Sequence, residues 1–256
     1  SIRDRYITEI LARAIDAGQL LSGDSVALAG LDDSALAGAF LSSLLKIDLR
    51  VFAPSHSSRR LLALIERFGA DIVWTDEEGG LDQANEEAAR WARGAPDRFS
   101  IHGFRREAVR DSYVTMAEEL LEAFEDRQLG GFVTSVTTGG TLREVARKLR
   151  ETHPDLLVGG AVLTDLEFPE LEGHRYNELE RFTLEQAWEL RDEIARKEGL
   201  LLSPKGAVSV GLALELREDV EDDEVLVALN PDSGQRYLGW EERELFAVTY
   251  DPESSR

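Results

Sequence analysis

The stretch GFVTSVTTGGTLREVAR, residues 131–147, decides the fold. It opens with an apolar and β-branched run, Gly131–Val136, that favours a strand, and it leads into a segment, Thr141–Glu151, that favours a helix. The turn between them contains two adjacent glycines. A strand that passes through a glycine turn into a helix is the repeating unit of a parallel sheet covered by helices.

The same alternation continues in both directions from this stretch. Residues Arg5–Ala17 place apolar side chains on one face at helical spacing, and Gly18 follows as a stop signal. The other predicted strands are Ser25–Ala29, Leu49–Ala53, Asp71–Thr75, Leu157–Leu163 and Glu224–Leu229, and the other predicted helices are Ser34–Leu45, Ser58–Phe68, Val114–Phe124, Leu184–Glu198, Ala207–Leu216 and one that ends at Trp91. We therefore predict an α/β protein with two domains, residues 1–110 and 111–256, each a parallel sheet flanked by helices.

Composition excludes several classes of protein. No apolar run approaches the ~20 residues of a membrane helix, and no basic and apolar leader opens the sequence, so we expect a soluble, cytoplasmic protein with no membrane partner. The sequence contains no cysteine, which excludes disulfides, zinc-thiolate sites and a thiol nucleophile.

The charge of the chain is strongly acidic, at −21, and only four of its 29 basic residues are lysines. An acidic excess with few lysines is typical of halophilic proteins, which work in a salt-rich cytoplasm where counterions screen the repulsion between their negative charges. The alternative is an acidic protein from a GC-rich genome, in which arginine codons replace those of lysine. The arginines form no clustered basic face, so we expect no nucleic-acid partner.

The glycine turn is a candidate anion site. Thr137-Thr138-Gly139-Gly140-Thr141 follows a strand and opens a helix, where free backbone N–H groups and the helix dipole attract negative charge. The hydroxyls of Thr138 and Thr141 add donors for phosphate oxygens. Alternatively, the glycines serve the geometry of the turn alone, because a strand-to-helix turn needs them for steric reasons.

Five segments in order carry a resemblance to a known family: Ser1–Arg5, Arg67–Asp71, Thr137–Arg147, Glu198–Leu201 and Pro231–Leu238. They resemble segments of the cysteine synthase branch of the tryptophan synthase β superfamily, the fold type II pyridoxal-phosphate enzymes. The resemblance implies two α/β domains and pyridoxal phosphate as the cofactor, with its phosphate at Thr137–Thr141.

The first motif of that family contains the lysine that bonds to the cofactor aldehyde and later moves protons. The resemblance places Arg3 at this position. A guanidinium stays protonated and forms no stable imine, so pyridoxal phosphate is possible here by resemblance, but without a lysine link at residue 3. The alternative is a shifted register, in which Arg3 is a surface residue at a helix start.

The second motif binds the substrate carboxylate, and its asparagine contacts the cofactor ring oxygen. The aligned segment, Gly30–Ala35, contains Asp32 and Asp33, with Asp33 in the asparagine position. Two carboxylates oppose an anionic substrate. Alternatively, one of them is the N-cap of the helix that follows, a role that suits aspartate.

The third motif supplies a serine to the pyridine nitrogen, and the aligned segment is Ser203–Ala207. The resemblance directs Lys205 toward the cofactor ring. A covalent link from Lys205 would approach the ring from the wrong edge, so we expect a cation at a helix start, or one that neutralises Asp32 and Asp33.

We therefore predict no catalytic residue and no metal site. The predicted cofactor or anion site consists of Thr137, Thr138, Gly139, Gly140, Thr141, Asp33 and Lys205. The leading hypothesis is a non-catalytic binding or partner subunit, which takes pyridoxal phosphate or another small phosphate-like anion. The alternatives are an active lyase or transferase for serine or cysteine derivatives, and a purely structural subunit. The resemblance implies a homodimer, or a heteromer with an active paralogue.

Overall fold

The computed structural model describes residues 1–101, 105–137, 139–163 and 176–239. These residues form two compact units, Ser1–Val109 and residues 110–239. The predicted domain ranges, 1–110 and 111–256, stay predictions, because residues 240–256 lie outside the described part of the chain.

The first unit contains a four-stranded parallel sheet in the order β3-β2-β1-β4. Its elements are α1 (Ile2–Asp16), β1 (Ser25–Ala29), α2 (Asp33–Leu45), β2 (Asp48–Pro54), α3 (Leu62–Arg67), β3 (Asp71–Thr75), α4 (Gly80–Ala92) and β4 (Arg98–Ser100). The helix α5 (Arg105–Ala123) begins in this unit and continues into the second.

Helices cover both faces of the first sheet, as the alternation along β1 requires. Val26 and Leu28 point to the face covered by α1, α2 and α3, where they join the larger core cluster. Ala27 points to the other face and packs with Phe52 of β2 and Ala84 and Ala88 of α4. Successive side chains of a strand point to opposite faces, so an almost wholly apolar strand is buried on both sides.

The second unit has the same architecture, with a parallel sheet in the order β7-β6-β5-β8. Its elements are β5 (Leu129–Val136), α6 (Gly140–Leu149), β6 (Leu157–Leu163), β7 (Glu178–Phe182), α7 (Leu184–Glu198), α8 (Pro204–Glu215) and β8 (Val225–Leu229). The predicted fold class, two parallel sheets flanked by helices, is confirmed. No helix in the described ranges is long and apolar enough to cross a membrane.

Each sheet reverses its strand order at one point. The chain passes from β1 outward to β2 and β3 and then returns to place β4 on the other side of β1. The second unit repeats this pattern, with β8 on the other side of β5. Ligands of such sheets bind at the carboxyl ends of the strands where the order reverses, so the segments that follow β1 and β5 are the candidate binding segments.

Candidate functional site

The segment after β5 is an open helix N-terminus. Gly139 is the N-cap of α6 with φ 77° and ψ −9°, and no side chain of the described residues caps this end. Lys46 is the only described residue other than glycine with a positive φ, so Thr137 does not carry the strain of that conformation. Gly140 and Thr141 form the first turn, with backbone N–H groups available to an anion. The predicted site residue Thr138 lies outside the described residues.

Charges along α6 are largely balanced within the helix. The guanidinium of Arg143 donates to Glu144 at 2.8 Å, and Arg147 donates to the second oxygen of Glu144 at 3.3 Å. The side chain of Glu144 is only 10% exposed. This carboxylate is the closest acid in sequence to the open N-terminus, and two cations neutralise it, so it repels an incoming anion weakly.

The N-terminus of α8 is fixed at the end of the neighbouring strand. Ser203 is fully buried, and its hydroxyl accepts a hydrogen bond from Gly206 N at 3.1 Å and donates one to Asn230 Oδ1 at 3.3 Å. Asn230 directly follows β8, and β8 lies beside β5. Because β5 and β8 run parallel, the α8 N-terminus lies at the same edge of the sheet as the α6 N-terminus. Lys205, the second residue of α8, is half-buried there.

The motif after Asn230 supports this edge. Ser233 forms a bridge with Leu202, and Gly234 N donates to Leu201 O at 3.1 Å. The buried hydroxyl of Tyr237 donates to Asp232 Oδ2 at 2.8 Å. The segment that resembles the family motif Pro-Asp-Ser-Gly-Glu-Arg-Tyr-Leu therefore holds the chain before α8 against the chain after β8.

In the segment after β1, in contrast, acidic side chains of the chain itself lie at the helix N-terminus. Asp32 is the N-cap of α2, and its Oδ1 accepts from Ser34 N at 2.8 Å and from Ala35 N at 3.3 Å. The alternative interpretation of Asp32 as a helix cap is confirmed. Asp33 pairs with Arg60 at 3.4 Å, and the two side chains are 9% and 8% exposed. This ion pair gives Asp33 a cation within its own unit.

Arg3 and Asp33 both belong to the first unit, near the starts of two neighbouring helices. Ser1 and Asp4 form a capping box at the start of α1, and the guanidinium of Arg3 lies 5.8 Å from the centre of the Tyr6 ring. The Tyr6 hydroxyl is hydrogen-bonded to that of Ser34 in the first turn of α2. Arg3 is thus connected through Tyr6 to the helix that Asp33 begins.

The other three lysines lie at C-terminal ends of helices, away from these strand ends. Lys148 donates to Glu151 at 2.9 Å, and this hydrogen bond raises the pKa of its amine. Lys197 donates to Glu193 at 2.6 Å, which likewise raises its pKa. Lys46 is the C-cap of α2. Of the four lysines, Lys205 is therefore the one at the carboxyl edge of a sheet.

Sequence reasoning missed the partners of the predicted residues. The contacts are those of Asp33 with Arg60, of Ser34 with Tyr6, and of Ser203 with Asn230. The two residues of each pair are 27 or 28 positions apart in the sequence. Within the described ranges, no group of three or more histidines or acidic residues is arranged to hold a metal ion.

Comparison with known proteins finds relatives along almost the whole chain. A family model described as "Pyridoxal-phosphate dependent enzyme" matches residues 1–162. Cysteine synthase B of Pseudomonas aeruginosa is 26% identical over 269 residues, which cover 98% of this chain and 86% of the relative. The O-acetylserine dependent cystathionine beta-synthase of Bacillus subtilis is 26% identical over 258 residues, covering 93% of this chain and 84% of the relative.

The fold recurs in solved structures. A hydrogen sulfide-producing enzyme from Fusobacterium nucleatum superposes with a TM-score of 0.79 at 20% identity. The match covers 99% of this chain and 82% of that one. At this identity the likeness concerns the arrangement of helices and strands.

Proposed function

Because this chain belongs to the family of pyridoxal-phosphate dependent enzymes, we propose that it is a cysteine synthase-like protein that binds a phosphate-bearing ligand and lacks the family's lysine chemistry. The resemblance predicted from five sequence motifs is confirmed, and the relatives are cysteine synthases and related enzymes at low identity. The non-catalytic role is the proposal. The observation that carries it is an open α6 N-terminus in a chain with arginine at residue 3.

The phosphate end of the family cofactor fits the residues present. Gly139, the N-cap of α6, has no side chain that could cap the first amides of the helix, and Thr141 adds a hydroxyl. Lys205 lies at the end of the neighbouring strand and adds a cation at the same edge. The cofactor, when bound, would supply the electron sink of the family's chemistry.

The reactive end of the cofactor does not fit. A covalent link requires a lysine amine, and residue 3 is an arginine whose delocalised guanidinium forms no stable imine. Lys148 and Lys197 are held as ammonium ions by carboxylates, with raised pKa values. In this proposal the residues present support binding of the phosphate end of the cofactor and no reaction at its aldehyde.

Calorimetric titration tests ligand binding at the loop. Inorganic phosphate and pyridoxal phosphate are titrated into the wild type and into Gly140→Asp, which places a carboxylate in the first turn of α6. We expect an affinity loss of at least about tenfold, because like charges repel at the uncapped amides. Thr183→Asp is the matched control, since it places the same charge at the N-cap of α7. Equal affinity in the wild type and Gly140→Asp contradicts the proposal.

A spectroscopic experiment tests the missing lysine. The wild type mixed with pyridoxal phosphate should show no visible band that borohydride reduction converts into a covalent lysine adduct. Arg3→Lys should acquire the band, because it restores an amine at the position that the resemblance assigns to it. A stoichiometric wild-type adduct at Lys205, identified by mass spectrometry, contradicts the non-catalytic proposal.

The second candidate is an active lyase or transferase for serine or cysteine derivatives. It is favoured by the names of the relatives, among them a cysteine synthase B and a probable cysteine synthase. Incubation with O-acetylserine, sulfide and pyridoxal phosphate discriminates the two candidates, since formation of cysteine above the protein-free rate supports the active enzyme.

A purely structural subunit would bind neither phosphate nor the cofactor. Homodimer and heteromer with an active paralogue also remain proposals, and light scattering with and without such a paralogue separates them.

A further inference from the structure

The two edge strands of the second sheet differ in how they are protected against pairing with another chain. β7 carries three exposed charged residues, Glu178, Glu180 and Arg181. β8 has the sequence VLVAL and contains neither a charged residue nor a proline. Charged side chains and prolines are the usual means by which an edge strand avoids pairing with a further strand. Only β7 has this protection in its own sequence.

The composition of β8 is that of an interior strand. A strand that is apolar throughout is typical of a position that is covered on both faces of a parallel sheet. The neighbouring β5 is buried at seven of its eight residues, but each of the five residues of β8 is only half-buried. β8 pairs with β5 on one side, and no strand of the described residues lies on its other side. A further strand at this edge would bury the side chains that β8 leaves half-exposed.

The backbone of β8 offers hydrogen bonds at the same edge. The N–H of Val225 donates to Gln128 O at 2.8 Å, on the side of β5. Successive residues of a strand direct their N–H and C=O groups to opposite sides, so Leu226 and Ala228 direct theirs away from β5. Two donors and two acceptors at an apolar edge suit the addition of a strand.

From these observations we infer that β8 pairs with β8 of a second copy of this chain, antiparallel, about a two-fold axis at Val227. A two-fold contact brings the same edge from both copies and is self-complementary. Leu226 of each copy then pairs with Ala228 of the other through backbone hydrogen bonds, and the two Val227 side chains meet on the axis in a closely spaced pair. This inference does not depend on ligand binding at α6.

The charge distribution favours this arrangement of two acidic chains. The acidic segment 218–224 ends directly before β8, and the uncharged pair Asn230-Pro231 directly follows it. With the axis at Val227, Glu224 of one copy lies opposite Asn230 of the other, and the two Glu224 residues are about 20 Å apart along the strands. This separation exceeds the screening length of ~8 Å at physiological ionic strength. The remaining repulsion between two chains of charge −21 is screened by salt, so the dimer should tighten as potassium chloride rises.

Disulfide trapping tests the inference, because the chain contains no cysteine of its own. Val227→Cys places two thiols in a pair whose Cα atoms are about 4.5 Å apart, which permits a disulfide. Glu180→Cys, at the middle of the other edge strand, is the matched control. At equal protein concentration in air, the covalent dimer should form at least about tenfold faster in Val227→Cys, because pairing raises the effective concentration of its thiols. Equal rates in the two variants overturn the inference.

Light scattering over a range of protein concentrations measures the dimer without a cross-link. A contact of five residues a side is small, so we expect a weak dimer whose mass rises with concentration and with potassium chloride. Ala228→Pro removes an outward N–H, a change that an edge strand tolerates, and should remain a monomer under the same conditions. If Ala228→Pro does not fold, Val227→Lys replaces it, since two ammonium groups would then face each other on the axis. A variant that folds and dimerises as the wild type does overturns the inference.

Truncation after Gly239 separates a second copy from the C-terminal residues of the chain itself. Residues 245–250, LFAVTY, form an uncharged run with the composition of a strand, so they are the competing occupant of this edge. If a second copy pairs with β8, Val227→Cys should cross-link at the same rate with and without residues 240–256. Cross-linking that appears only after truncation overturns the inference and assigns the edge to the C-terminal residues.

Discussion

Oδ1 of Asn230 lies directly against the first turn of α8 at Gly206, where an added Cβ would stand 1.8 Å from it. The same oxygen accepts the hydrogen bond of the buried Ser203 hydroxyl. One side chain thus fixes where α8 begins relative to the end of β8. The position of Lys205, one residue earlier than Gly206, depends on this contact.

Gly206→Ala should therefore destabilise the protein. A methyl group at this position must displace Asn230, and overpacking of this kind costs about 1–3 kcal/mol. The free energy of unfolding in urea measures the effect. In an Asn230→Ala background the same substitution should be neutral or slightly stabilising, because alanine has the higher helix propensity. An equal loss in both backgrounds would mean that the contact with Asn230 is not the cause.

Lys46→Gly should stabilise the protein. Lys46 is the C-cap of α2 and adopts the left-handed conformation, with φ 57° and ψ 48°. That conformation costs a residue with a Cβ about 1 kcal/mol relative to glycine, so the unfolding free energy should rise by roughly this amount. Lys46→Ala removes the same charge but keeps the Cβ, and should show no such gain. If Lys46→Ala raises the unfolding free energy equally, the gain is due to the loss of the lysine charge and not to the backbone conformation.

Asp32→Ala should lower stability by about 0.5–2 kcal/mol, because two amides of α2 lose their cap. Asp32→Ser keeps a side-chain acceptor and should retain most of the stability. Urea unfolding of the two variants beside the wild type makes the comparison. Equal losses in both would assign the effect to the carboxylate charge rather than to the cap.

Much of the fold could be predicted because it depends on local patterns. Ser25–Ala29, Asp71–Thr75, Leu157–Leu163 and Leu184–Glu198 have the predicted bounds. β4 and β7 were missed. Arg98–Ser100 has three residues, and Glu178–Phe182 is a charged edge strand whose burial shows little alternation.

Helix bounds deviated where neighbours or turns override propensity. α3 begins at Leu62 rather than at Ser58, because residues 59–62 form a turn, with a hydrogen bond from Leu62 N to Arg59 O, instead of a helical turn. α8 begins at Pro204 rather than at Ala207, since Ser203 caps it. α5 begins at Arg105, nine residues before the predicted start.

The sequence motifs of the candidate site could be predicted, but the contacts between side chains distant in the sequence could not. The glycine turn was visible because a strand and a helix flank it directly. The partnership of Asp33 with Arg60 depends instead on how the β1–α2 and β2–α3 connections meet, which no local pattern encodes. The domain ranges and the functional assignment of Arg3, Asp33 and Lys205 stay predictions.

Glu193→Gln should change stability only slightly and only within a pH window. Lys197 lowers the pKa of Glu193, so this carboxylate contributes above its unfolded pKa of about 4.3 and loses the contribution as pH falls. The raised pKa of Lys197 gives a contribution that is present below about pH 10.4 and lost as pH rises. The difference in melting temperature from the wild type should be largest near neutral pH, and under about 2 °C, because the pair is exposed. A difference that persists at about pH 2.5 contradicts the ion-pair account.

Salt should stabilise this protein although it weakens such exposed ion pairs. With a net charge of −21, the acidic side chains repel one another in the compact state. Raising potassium chloride from about 0.01 M to about 1 M shortens the screening length from ~30 Å to ~3 Å.

The segment 218–224 concentrates the repulsion, since six of its seven residues are acidic. Neutralising three exposed members, by Glu218→Gln, Asp219→Asn and Asp223→Asn, should raise the melting temperature in low salt and flatten its rise with salt. A control that neutralises Glu122, Glu125 and Asp126 around the end of α5 should flatten the rise less, because only these three of the seven residues 120–126 are acidic. A melting temperature that does not change with salt contradicts the halophile hypothesis, and equal flattening by both variants shows that the repulsion is spread over the whole surface.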